Sequence, residues 1–212
     1  IILFIIYINS IFLLIKFKKI DKSKPYSIFK NFYVSAIKHK QPAIEAVAIS
    51  SFCSKTKEVD SRFVNLKYIE GSEWIFFSNY SSPKAIQFSD NKKISALFYW
   101  EKIDVQIRIK AKIKKTRSSF SDNHFKLRNS EKNILAITSE QSKEVDSYNN
   151  FLEKMKKNSQ NISYPLTRPK YWGGFSFEPY CFEFWEGHQT RINKRRLYKK
   201  AGSQWNLSFL QP

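Results

Sequence analysis

Glycine and proline are scarce, with five Gly and seven Pro in 212 residues. That is too few for a collagen-like, linker-dominated or low-complexity chain. No Gly-rich turn follows a strand-like run, so neither a dinucleotide-binding fingerprint nor a Walker loop is available. Any phosphate this chain binds must be held by side chains. Cysteine is almost missing too. Cys53 and Cys181 stand far apart, without neighbouring His or metal-ligand spacing, which excludes a zinc site and a C-x-x-C redox pair. They read as small buried hydrophobes in a reducing compartment. Acid is short: 18 Asp and Glu against 37 Lys and Arg give a net charge of +19.

What is present is aromatic and apolar. The chain holds 19 Phe, 11 Tyr and 5 Trp, and 42% of it is hydrophobic, enough to fill a real core. The excess positive charge attracts anions of any kind, from nucleic acid to phosphorylated small molecules. Lysines are scattered, with short runs only at Lys16-Phe17-Lys18-Lys19 and Arg195-Arg196. No basic helix, zinc-finger spacing or RNA-binding signature appears. A solvated basic surface is therefore preferred to a nucleic-acid patch.

The first residue is Ile1 rather than Met, which reads as a fragment or a trimmed reading frame. Residues Ile1 to Ile15 are almost wholly apolar, yet shorter than the roughly 20 residues that span a bilayer. They also lack the flanks of a secretory signal. As an anchor, the run would leave the rest in the cytoplasm, given the basic flank at Lys16 to Lys19. The alternatives are a mis-called start or an extra helix on the domain. Residues 1–24 are accordingly treated as an apolar and basic extension, and 25–212 as one continuous domain.

Within 25–212, Ile28, Phe29, Phe32, Tyr33 and Ile37 have helical spacing. Strands are expected at Ala43 to Ser50, Ser61 to Ile69 and Trp74 to Ser78, with a turn at Glu70-Gly71. Ser82 and Pro83 open a short helix, and Ile94 to Trp100 is strand-like. Val105 to Lys114 alternates strictly between apolar and polar residues. A polar helical section runs from Asp122 to Lys157. Strands resume at Phe182 to Trp185, Arg191 to Tyr198 and Trp205 to Leu210. About seven strands broken by helices predict an α+β, mainly β, fold on a barrel or sandwich.

The C-terminal segment carries the chemistry. On a regular strand Arg191, Asn193 and Arg195 would share a face, with two guanidiniums about 13 Å apart. Alone, that pattern describes a solvated strand. Here it follows Trp172-Gly173-Gly174-Phe175 and Glu183-Phe184-Trp185-Glu186-Gly187, and precedes Trp205 and Leu210-Gln211-Pro212. The series resembles, with its spacing kept, the C-terminal signature of the pyridoxamine 5'-phosphate oxidases. The likeness extends upstream through Arg62 to Lys67, Phe76 to Asn79, Ser82-Pro83-Lys84 and Ser139 to Ser142, over roughly residues 25–212.

The resemblance implies an FMN-binding split β-barrel with flanking helices, forming a cytoplasmic homodimer with FMN at the subunit interface. The implied reaction is oxidation of pyridoxamine or pyridoxine 5'-phosphate by O₂ to pyridoxal 5'-phosphate, with release of hydrogen peroxide. Carried over by position, FMN would be bound by the run Arg62, Phe63, Val64, Asn65, Leu66 and Lys67. Phe77, Ser78, Lys84, Gln106, Gln141, Ser142, Trp185 and Arg195 would join them. Lys67, His124, Arg128, Lys132, Arg191 and Asn193 would bind substrate, with Arg191 and Asn193 nearest the reaction. Two dianionic phosphates without a Gly-rich loop do require such a set of Lys and Arg. Strict alternation, however, sets Arg62 and Lys67 on opposite faces of one strand, so a bulge or the partner's site is needed.

Four positions depart from the family pattern. Pro83 replaces an Arg, His124 a Tyr, Lys132 a Ser, and Asn193 a His. Asn can hydrogen-bond but does not titrate near neutral pH. The rival reading is therefore an FMN- or pyridoxal-phosphate-binding paralogue with weak or different activity.

Overall fold

The computed structural model describes residues 14–162 and 164–212. Ten strands and five helices are found there. The strands are β1 (Lys16–Lys18), β2 (Ala46–Cys53), β3 (Glu58–Asn65), β4 (Tyr68–Glu70) and β5 (Glu73–Asn79). They continue with β6 (Lys93–Trp100), β7 (Val105–Lys115), β8 (Trp172–Glu186), β9 (Lys194–Ala201) and β10 (Gln204–Leu210). The helices are α1 (Lys24–Lys38), α2 (Pro83–Asp90), α3 (Ser118–Leu127), α4 (Ser130–Thr138) and α5 (Tyr148–Gln160). The sheet runs β1-β4-β5-β8-β7-β6-β2-β3, and β9 with β10 branches from β8.

β8 makes that branching possible. Its first half pairs with β5, its last six residues pair with β9, and β7 follows it along the other edge. Two glycines at its start serve close approach rather than a turn. A Cβ at Gly173 would run into the Tyr80 ring and hydroxyl, and one at Gly174 would lie 2.6 Å from Thr116 Oγ1. The core is aromatic. Phe29 of α1 meets Trp74 at 4.4 Å and Phe98 at 5.4 Å between ring centroids, and Phe182 stacks on Phe184. The alternation in β7 holds, with Val105, Ile107, Ile109, Ala111 and Ile113 all buried.

Several boundaries differ from the sequence reading. Ala43 adopts a left-handed φ of 45°, so β2 starts three residues later than expected. The single strand expected over Ser61 to Ile69 is two, because β3 ends at Asn65 and the Leu66 and Lys67 amides bond to Glu45 O and Ile75 O. The break separates Arg62 from Lys67 without a bulge. β8 is far longer than Phe182 to Trp185, being buried on both faces and so lacking alternation. Cys181 is buried as expected, while Cys53 is partly exposed.

The extension expected over residues 1–24 meets the sheet. β1 pairs in parallel with β4, and Ile15 is in the core. Residues 1–13, on which the anchor reading falls, lie outside the described residues. Among the described residues no helix is long and apolar enough to cross a membrane.

Candidate functional site

Two cation clusters lie at neighbouring corners of the barrel. The first joins β3, β5 and α2. Pro83 in the first turn starts α2 and brings Lys84 to the barrel wall, 8% exposed. Its ammonium donates to Ser78 Oγ at 3.3 Å and Ser82 Oγ at 3.4 Å. Among the described residues it has no carboxylate partner. Burial, and then the Arg62 charge, hold its pKa below the usual lysine range. Arg62 donates to Ser51 Oγ at 2.6 Å and Gln87 Oε1 at 3.2 Å, with Asp60 at 3.6 Å. Gln141 Oε1 accepts from the Asn79 amide at 3.2 Å and from Ser78 Oγ at 3.4 Å. That contact ties the segment after α4 to this corner.

The second corner gathers Lys67, His124, Arg128 and Lys132. Arg128 follows α3 and lies 4.8 Å over the Trp172 ring, donating to Lys132 O at 2.7 Å and Asn133 Oδ1 at 3.2 Å. Burial lowers its pKa and that of Lys67. Glu45 stands 3.9 Å from the Lys67 ammonium and partly offsets this, while Lys132 and Arg128 add to it. His124 stacks on Phe77 at 3.7 Å. Burial, with Arg128, Lys67 and Lys16 nearby, pushes its pKa down to about 3, so the ring is neutral at physiological pH. A groove of about 160 Å³ runs between the corners, lined by Asn79 and Gln141 from the first and Arg128 and Trp172 from the second.

The remaining candidates lie elsewhere. Gln106, Trp185 and Arg195 form one row across β7, β8 and β9, flanked by Tyr99 and Leu210. Arg195 donates through Nε and Nη2 to Glu183 Oε1, at 3.0 and 2.7 Å, and through Nη1 to Gln211 O. Among the described residues none of the hydrogen bonds or ion pairs of this row reaches the two corners.

The shared face expected for Arg191, Asn193 and Arg195 is corrected by the structure. β9 begins only at Lys194. Arg191 turns left-handed at φ 61°, its amide bonded to His188 O at 2.9 Å. Asn193 Oδ1 accepts from the His188 amide at 3.1 Å, closing the loop. Of the run after Arg62, Leu66 points into the core at 0% exposure and Phe63 is 74% exposed. Val64 is partly buried and Asn65 exposed. Ser142, exposed and left-handed at φ 71°, sits in the turn after α4.

The sequence reading missed Tyr68, which bonds His124, and Glu183, which holds Arg195. Glu183 had a signal, as an acid flanked by Phe182 and Phe184 in an aromatic run. Tyr68 had none.

The architecture is a split β-barrel of the class found in FMN-binding proteins. It resembles PhzG from Burkholderia lata 383, solved with tetrahydrophenazine-1-carboxylic acid (TM-score 0.82, 24% identity, 90% of this chain and 93% of that one). It also resembles a pyridoxamine 5'-phosphate oxidase-related, FMN-binding protein from Nostoc punctiforme (TM-score 0.74, 10% identity, 90% and 99%). Residues 172–212 match the pyridoxine 5'-phosphate oxidase C-terminal dimerisation region. The pyridoxine/pyridoxamine 5'-phosphate oxidase of Coxiella burnetii is 31% identical over 190 residues, covering 90% of this chain and 96% of that protein. The chain belongs to the pyridoxine/pyridoxamine 5'-phosphate oxidase family.

Proposed function

We propose that this protein binds FMN and oxidises pyridoxamine or pyridoxine 5'-phosphate with O₂, giving pyridoxal 5'-phosphate and hydrogen peroxide. The observation that carries the reading is the pair of carboxylate-poor cation clusters joined by one groove. Each suits one phosphate dianion. The donor set fits FMN: Lys84 is a buried ammonium facing hydroxyls instead of an acid, and Arg62 stands beside it. On this reading Arg62, Lys84, Ser78, Gln141 and Ser142 hold the FMN phosphate and ribityl chain. Phe63 to Lys67 and Phe77 flank that site.

Lys67, His124, Arg128 and Lys132 take the substrate phosphate. The cations supply charge, and Trp172 keeps the Arg128 guanidinium in one plane. Bound FMN supplies the hydride acceptor and the route to O₂. The protein's part is to fix the substrate's position and exclude alternatives to it. Gln106, Trp185 and Arg195 serve the flavin edge, and Arg191 and Asn193 the substrate, from the other subunit of a homodimer. The separation of that row from the two corners within one chain supports the arrangement. We place the oxidase domain at residues 25–212, with β1 added by the extension, and the protein in the cytoplasm.

The second reading is a flavin- or pyridoxal-phosphate-binding paralogue. It is favoured by Asn193, whose carbonyl oxygen is engaged in closing its own loop. Oxygen consumption by the purified protein with pyridoxamine 5'-phosphate decides between the two. A protein that takes up neither FMN nor pyridoxal 5'-phosphate rejects both. A yellow one that consumes no oxygen leaves the paralogue.

A further inference from the structure

Tyr68 opens β4 beneath the second corner, and its hydroxyl is 2.9 Å from His124 Nδ1. The two rings meet edge to face, at 5.4 Å and 84°. His124 is held parallel to Phe77 and, further off, to Trp172, so its plane is set by the stack on Phe77. Among the described residues Nε2 has no protein partner. The charged groups facing this pair are all positive. Arg128, Lys67 and Lys16 lie around His124, and Lys16 and Lys18 lie over the Tyr68 ring at 5.9 and 5.1 Å. No carboxylate is among them.

A ring in that company stays neutral, and a neutral imidazole carries one proton on one of two nitrogens. Burial keeps the Tyr68 phenol protonated. The short contact joins the phenol oxygen to Nδ1, and the tautomer of His124 decides which of the two donates. We propose that Tyr68 is a positioning residue. By donating to His124 Nδ1 it fixes the Nε2–H tautomer, so that a neutral ring presents one directed N–H to a phosphate monoester held by Lys67 and Arg128. The family's Tyr is thus replaced by a relay of two residues, Tyr68 and His124. The phosphate half of this inference rests on the reading that the second corner takes the substrate.

Imidazole nitrogen NMR on the purified protein tests the tautomer directly, with His124→Gln assigning the signal. A wild-type ring protonated at Nε2, giving way to mixed tautomers in Tyr68→Phe, is expected. A wild-type ring protonated at Nδ1, or an unchanged tautomer in Tyr68→Phe, overturns the proposal. Phe keeps the contacts to Phe77 and Phe120, so FMN affinity should not move. The Kd for pyridoxal 5'-phosphate should rise about tenfold, the scale of one hydrogen bond. An unchanged Kd overturns the phosphate role. A wild type that binds no pyridoxal 5'-phosphate rejects the underlying substrate reading, while the nitrogen spectrum still decides the link between Tyr68 and His124.

Discussion

Lys84 and Arg128 are withdrawn from solvent with no carboxylate against them among the described residues, whereas Arg108 on β7 and Arg195 and Arg196 on β9 close onto Glu183 and Glu186 of β8. The residue types are alike; the surroundings are opposite. Across β7, β8 and β9 the acids neutralise the arginines in advance, and the charges hold the sheet together. At the two corners Lys84 and Arg128 face no acid among the described residues, and desolvation lowers the pKa of both. Such groups oppose folding of the empty protein and are satisfied only by an anion. Fold and function thus make contrary demands on the same chemistry, and the molecule meets them in different places.

Substitutions in the two regions should therefore move stability in different directions. Arg195→Ala leaves Glu183, 8% exposed, with Arg108 alone. Unfolding of the flavin-free protein should become easier by about 3 kcal/mol, as for a broken buried pair, and flavin retention should fall too. Denaturant melts of the flavin-free variant read the first effect separately from the second. Lys84→Met should leave flavin-free stability equal or higher. Its FMN affinity should drop roughly 10- to 100-fold, the loss of a charged hydrogen-bonding partner. If it destabilises the flavin-free protein as much as Arg195→Ala does, the contrast between the regions is wrong.

Acid supplies a finer test. In the unfolded chain His124 takes up a proton near pH 6.5, whereas in the native state it stays neutral down to about 3. Between those values the unfolded chain binds more protons, so stability falls as pH drops, by up to about 1.4 kcal/mol per pH unit. Urea midpoints for His124→Gln should lose that slope; a parallel slope in both proteins would show that the ring is charged in the native corner. The smallest effect is expected for Asn193→His. Because Asn193 spends its carbonyl on the His188 amide and Arg191 is untouched, turnover with pyridoxamine 5'-phosphate should rise only a few-fold. A gain near 100-fold, the scale of a general acid or base, would mean that proton handling is what the natural chain lacks.

The sequence made the two cation sets legible one residue at a time, through short motifs around Arg62 and Lys84 and through the position of Arg128 in the family resemblance. It also exposed β7, whose alternation is clean because one face is solvated. It hid β8, since a strand buried on both sides has no period to detect. The break after Asn65 was invisible for another reason: it depends on where Glu45 and Ile75 offer their carbonyls. The misplaced start of β9 came from treating Arg191 as a strand residue when only its φ marks it as a turn. Tyr68 and His124, 56 positions apart, are paired only by the fold.

β8 has a consequence for the order in which the protein can be made. It is the shared neighbour of β5, β7 and β9, yet it is synthesised after residue 171. Until it emerges from the ribosome, β5 and β7 each carry an unpaired edge, and the aromatic interior built on Trp74 and Phe76 lacks Phe175, Phe177 and Phe182. The strands that precede β8 therefore cannot close the barrel on their own and must be sheltered from edge-to-edge pairing in the meantime. Closure is a late, single event in which one segment completes the barrel and delivers the strands that carry Trp185 and Arg195.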